Sequence, residues 1–93
     1  MNSEFEKQLL IEIDEVNNAI SLWEFEFRIP RSIQMGYEIE PPVTAGEISE
    51  YRSNNERCAD IMEIIYNLCE YSRHLESIYE LLQTTKKLTD DYK

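Results

Sequence analysis

From Glu47 to Lys93 the chain runs for 47 residues without one Gly or Pro. These two residue types punctuate secondary structure most strongly, so their absence predicts one long helix. Thr44 and Glu47 stand in capping-box spacing and place its start at Ala45. Ile48, Tyr51, Asn55, Cys58, Met62, Ile65, Cys69 and Ser72 then step by three and four, a heptad-like seam with room for another helix. Beyond Ser72 the apolar positions Leu75, Tyr79 and Leu82 leave that seam, which predicts a kink or break near residues 72–76, around Arg73 and His74. An unbroken helix from Ala45 to Thr85 would be ~60 Å long, so the chain is expected either to bend back or to pair with a second copy. The polar tail from Lys86 to Lys93 is expected to fray, with Lys86 and Lys87 offsetting the helix dipole.

The amino-terminal element opens with Ser3 and Glu6 in the same capping-box spacing. Phe5, Leu9, Ile13, Val16, Ile20 and Trp23 follow at intervals of three or four. This is an amphipathic helix of about five turns, with Ile11 outside its stripe. From Trp23 the period becomes two: Trp23, Phe25, Phe27 and Ile29 alternate with polar residues, and Ile33, Met35, Tyr37 and Ile39 do so again after Pro30. That alternation predicts two short antiparallel strands joined around Pro30 and Arg31, the second ended by Pro41 and Pro42. A first helix running on through Phe27 is the competing reading. The expected fold is a single α+β domain over residues 1–93, mostly α.

Nineteen acids face nine Lys and Arg, a net charge of −10, while 42% of residues are hydrophobic and 11% aromatic. The chain is apolar enough to fold and acidic enough to repel nucleic acid and anionic membrane while attracting basic proteins. Residues 1–50 hold eleven acids and three bases, so the first half carries most of the excess. The N-terminal stretch has no basic segment, and its one apolar run, Leu9 to Ile11, is too short for a signal or a membrane span. A soluble, intracellular protein is expected. Cys58 and Cys69, eleven residues apart on one helix, would stand ~16 Å apart, too far for an intrachain disulfide.

The candidate partner-binding residues are the acids. Glu12, Asp14 and Glu15 lie on the first helix, and Glu24 and Glu26 in the alternating segment. Glu38, Glu40, Glu47 and Glu50 form a stretch without Lys or Arg. Glu56, Asp60, Glu63 and Glu70 share a face of the long helix, opposite Cys58, Met62, Ile65 and Cys69. Three readings compete for this last stripe. It is the solvated back of an amphipathic helix, or a display of rigid carboxylates that approximates a phosphate track and blocks basic DNA-binding proteins. In the third reading Glu12 and Glu15 meet Glu56, Asp60 and Glu63 to hold Mg²⁺, as in all-helical nucleotide pyrophosphohydrolases. The third lacks basic residues and a Gly-rich loop for a triphosphate. His74 has no nucleophile at an informative spacing, so a non-enzymatic protein without metal or cofactor is expected. A helical adaptor or chaperone, binding through its apolar seam or its strand edge, is the alternative.

A small acidic chain with helices flanking a central β-like segment resembles the anti-restriction DNA-mimic proteins of T-even phages. The resemblance implies a homodimer in the host cytoplasm. Its acidic surface would occupy the DNA site of a modification-dependent restriction endonuclease or of a histone-like nucleoid protein.

Overall fold

The computed structural model describes residues 3–91, and among these there are two helices and no strand: α1 (Glu4–Ile39) and α2 (Ala45–Asp91). They fold back on each other as an antiparallel hairpin measuring 74 × 18 × 15 Å. Both N-termini are capped as the sequence predicts. The Ser3 hydroxyl oxygen accepts from the Glu6 N–H at 3.1 Å, and Thr44 Oγ1 accepts from the Glu47 N–H at 3.1 Å. Between the helices Glu40 closes α1, its N–H donating to the Gly36 carbonyl at 2.9 Å, and Pro41 and Pro42 fill the turn.

The expected α+β fold and its hairpin over residues 23–40 are therefore corrected: the whole segment is the second half of α1. The physical reason lies in helix geometry. Residues i and i+2 are about 200° apart around a helix axis, so a helix with apolar residues on opposite faces also alternates with period two. Phe27 and Tyr37 turn inward and are half-buried, whereas Phe25, Ile29, Met35 and Ile39 turn outward. Pro30 lies inside α1 with its ring buried against α2, and the helix continues beyond it because the later turns find partners there. Gln34 Nε2 donates to Asn55 Oδ1 at 3.1 Å, and Tyr37 and Tyr51 meet edge to face with ring centroids 5.6 Å apart.

The break expected near 72–76 is likewise absent, since α2 runs unbroken to Asp91. Burial shows why. The inward residues of α2 are Tyr51, Asn54, Cys58, Ile61, Ile65, Leu68, Ser72, Leu75, Tyr79 and Leu82, a strict alternation of three and four through Ser72. The sequence-based seam shares Tyr51, Cys58, Ile65 and Ser72 with it. Its other members, Ile48, Asn55, Met62 and Cys69, sit one residue off the true seam and lie beside it. Leu75, Tyr79 and Leu82 never left the stripe; only its misplaced half did. The inward face of α1 has the same spacing, through Glu6, Leu9, Ile13, Val16, Ile20, Phe27, Pro30, Gln34 and Tyr37.

The densest packing is at the end away from the turn, where Leu9, Val16 and Leu75 are buried and Ile13, Ile20, Leu68, Tyr79 and Leu82 close around them. Polar groups in the seam pair across it and pin the register. Asn54 Nδ2 donates to the Pro30 carbonyl at 2.7 Å, Ser72 Oγ to Asn17 Oδ1 at 3.1 Å, and Lys86 Nζ lies 3.8 Å from Glu6 Oε2. A slip of one turn would leave the Asn54 and Ser72 side chains buried without partners, which costs about 1–3 kcal/mol for each. Lys86 thus joins the helix interface, and neither it nor Lys87 reaches the last turn, as the dipole reading required. The fraying expected from Lys86 does not occur up to Asp91; Tyr92 and Lys93 lie outside the described residues.

Candidate functional site: the carboxylate surface

Every acid singled out from the sequence reaches the surface. Glu12, Glu47 and Glu70 are half-buried, while Asp14, Glu15, Glu24, Glu26, Glu38, Glu40, Glu50, Glu56, Asp60 and Glu63 are exposed. Nearby cations offset three of them: Arg57 lies 3.9 Å from Glu26, Arg31 3.5 Å from Glu38, and Arg73 2.9 Å from Glu70. These are exposed pairs, screened by water, and each contributes at most ~1 kcal/mol to stability. Glu47 is drawn into the α2 cap, where its carboxylate accepts from the Thr44 hydroxyl at 3.0 Å.

The acids divide into groups by position. Asp14 and Glu15 lie on the outer side of α1 near the end away from the turn. Glu12 sits against α2, its carboxylate accepting from the Tyr71 hydroxyl at 3.2 Å. The negative charge of Glu12, and then this hydrogen bond, raise the Tyr71 pKa above the ordinary tyrosine value of 10.0. Glu40, Glu47 and Glu50 rim a groove at the turn whose floor is Ile33, Gly36, Pro41 and Val43, with Tyr37 between them. Burial, followed by the hydrogen bond and charge of Glu50 and the charge of Glu47, raises the Tyr37 pKa as well.

The most regular group is on α2. Glu56, Glu63 and Glu70 recur every seven residues on the face opposite Cys58, Ile61 and Ile65, with Asp60 between the first two. Successive carboxylates from Glu56 to Glu63 stand ~6 Å apart at their roots, and the row points away from α1. Glu56, Asp60 and Glu63 form no ion pair among the described residues.

The antiparallel register separates the residues of the metal reading. Glu12 lies beside Tyr71, fifteen residues or ~22 Å along α2 from Glu56. Among the described residues no three His, Cys, Asp or Glu side chains group so as to hold a metal ion. Both cysteines are free, Cys58 buried in the seam and Cys69 half-buried beside it. Among the described residues no helix is long and apolar enough to cross a membrane.

Comparison of the chain with protein-family models, with curated proteins and with solved structures finds no match in any of the three.

Two features of the surface escaped the sequence reading. The outward residues of α1 from Leu22 to Ile39 form a second apolar stripe, hidden in the sequence because Phe25, Ile29 and Ile39 also belong to the period-two alternation. Glu6, read only as half of a capping box, is also a buried seam residue; its spacing to Leu9 and Ile13 carried that signal.

Proposed function

We propose that this chain is a non-enzymatic binding protein whose carboxylate surface occupies the nucleic-acid site of a basic partner protein and so inhibits it. The observation that carries the reading is the row Glu56, Asp60 and Glu63 on the outer face of α2, unpaired among the described residues, extended by Glu70 with its Arg73 partner and held on an unbroken helix. A helix fixes the spacing of these charges before the partner arrives, which lowers the ordering cost of binding.

Magnitude narrows the proposal. A net charge of −10 along 74 Å is one charge per ~7 Å, against one per ~1.7 Å in duplex DNA. The hairpin therefore stands in for a short stretch of phosphates at a local basic site, and its whole length does not imitate a duplex. The target classes implied by the resemblance, a modification-dependent restriction endonuclease and a histone-like nucleoid protein, are the candidates for carrying such a site.

The test is a competition gel at low salt, in which the protein is titrated into a complex of each target with DNA. Displacement is expected from the wild type and should weaken as salt rises. The fourfold variant Glu56→Gln, Asp60→Asn, Glu63→Gln, Glu70→Gln keeps the hairpin and should lose displacement. Absence of displacement by the wild type at low salt, or equal displacement by the variant, defeats the reading.

The adaptor alternative loses one of its routes, because among the described residues there is no strand edge to offer.

A further inference from the structure

We infer that the outer face of α1 between Leu22 and Ile39 is a self-association surface, seated against the same face of a second copy running antiparallel to it. Leu22, Phe25 and Ile29 on this face are 68%, 62% and 71% exposed, and with Ser32, Gly36 and Ile39 they form a second heptad-spaced stripe on the side of α1 away from α2. None of the six positions carries a charge. The whole segment from Leu22 to Ile39 contains three acids, Glu24, Glu26 and Glu38, and two bases, Arg28 and Arg31. Its net charge is thus −1 in a chain of −10; Glu40, Glu47 and Glu50 rim the groove at its Gly36 end, where the Arg28 guanidinium that stacks on the incoming Phe25 ring, 5.6 Å from its centroid, arrives with opposite charge.

The order of side-chain sizes names the occupant. A two-fold axis passing between Pro30 and Arg31 sets Leu22 against the partner's Ile39, Phe25 against the partner's Gly36, and Ile29 against the partner's Ser32. Phe25 and Ile29 each meet a small residue, Leu22 meets Ile39 at the two ends, and the pairing is unchanged by the two-fold rotation, as an interface between identical subunits requires. Gly36 supports the same arrangement. A glycine inside a helix costs about 0.5–1 kcal/mol relative to alanine. Nothing in the hairpin explains it, because a Cβ added there would meet no atom within 4 Å. A ring packed closely on the backbone at that turn supplies the missing reason.

The hairpin exposes 7388 Å², more than the ~5,700 Å² of a compact monomer of its mass because it is a 74 × 18 × 15 Å rod, and a second copy seated along α1 covers part of that surface. Pairing through α1 also leaves the acidic row of each α2 facing outward, so it does not compete with the proposed binding surface.

Sedimentation equilibrium of the full chain tests this. The wild type should sediment at twice its 11.1 kDa chain mass. Gly36→Leu fills the slot for the partner's Phe25 without touching its own hairpin, and should keep or raise helicity by far-UV circular dichroism while weakening the dimer about a hundredfold. Ile29→Glu should do the same. Leu81→Gln, at an exposed apolar position on α2, should leave the dimer intact. A monomeric wild type overturns the inference, as does a dimer that survives both α1 variants or is lost with Leu81→Gln.

Discussion

Asn54, buried in the third turn of α2, donates its side-chain amide to the carbonyl of Pro30 at 2.7 Å, joining the two helices where α1 lacks a backbone donor. Asn54→Ala removes that bond and should lower stability by about 1–2 kcal/mol, read from the urea midpoint. Pro30→Ala should act in the opposite direction. Alanine is favoured over proline by ~3 kcal/mol inside a helix, and the lost burial of the ring returns about 1 kcal/mol of that. A midpoint that falls for Pro30→Ala would show that the chain around residue 30 does not continue as helix.

The seam position can be tested at adjacent residues. Ile61 is 4% exposed and Met62 58%. Ile61→Ala should cost about 2–4 kcal/mol through lost burial and an unfilled cavity. Met62→Ala should change stability by less than about 0.5 kcal/mol. Equal costs would contradict the phase of α2 described above.

Alkaline pH should unfold the hairpin in a way that Tyr71 reports. Its folded pKa is raised by Glu12, so the folded state holds the phenol proton more tightly than the unfolded chain does. The corresponding stability is complete below the ordinary value of 10.0 and is lost as pH climbs through the raised value. Thermal melts from neutral pH to pH 11 should therefore fall above about pH 10, and Tyr71→Phe should make that fall shallower. Tyr37 contributes in the same direction through burial and Glu50, so the single variant should not abolish the effect.

The cysteines should differ in reactivity. Cys69 should react with a thiol reagent in the native state, while Cys58 should react only as the hairpin opens. Mild oxidation should produce no intrachain bridge, since eleven helical residues separate the two thiols by ~16 Å. An intrachain disulfide under native conditions would refute the continuous helix between them.

The long Gly- and Pro-free run, the two capped starts and the centre of the first inward stripe, Leu9, Ile13, Val16 and Ile20, could be read directly from residue types and spacing, whereas Phe5 and Trp23, expected in that stripe, are exposed. Trp23 to Ile39 could not, because period-two alternation is shared by a strand with one wet face and a helix with two apolar faces. Only the presence of α2 on one side of α1 separates them. The α2 seam was half legible for a related reason. Pairs such as Ile61 and Met62, or Leu68 and Cys69, are both apolar, and which member turns inward depends on the partner helix. Among the acids, their exposure followed from chemistry alone, whereas the pairing of Glu26 with Arg57 and Glu12 with Tyr71 needed the antiparallel register.

Residue types and their order thus determined that the chain is acidic, where its helices begin, and that α2 has nothing in it to stop a helix. Tertiary structure decided that α1 carries on through Pro30, that Glu26 meets Arg57 and Glu12 meets Tyr71, and that an apolar face is left over. The division has a physical basis. Caps, propensities and net charge act within a turn or at long range without regard to partners. The choice between strand and helix, and between neighbouring seam positions, is settled by contacts between residues far apart in the chain.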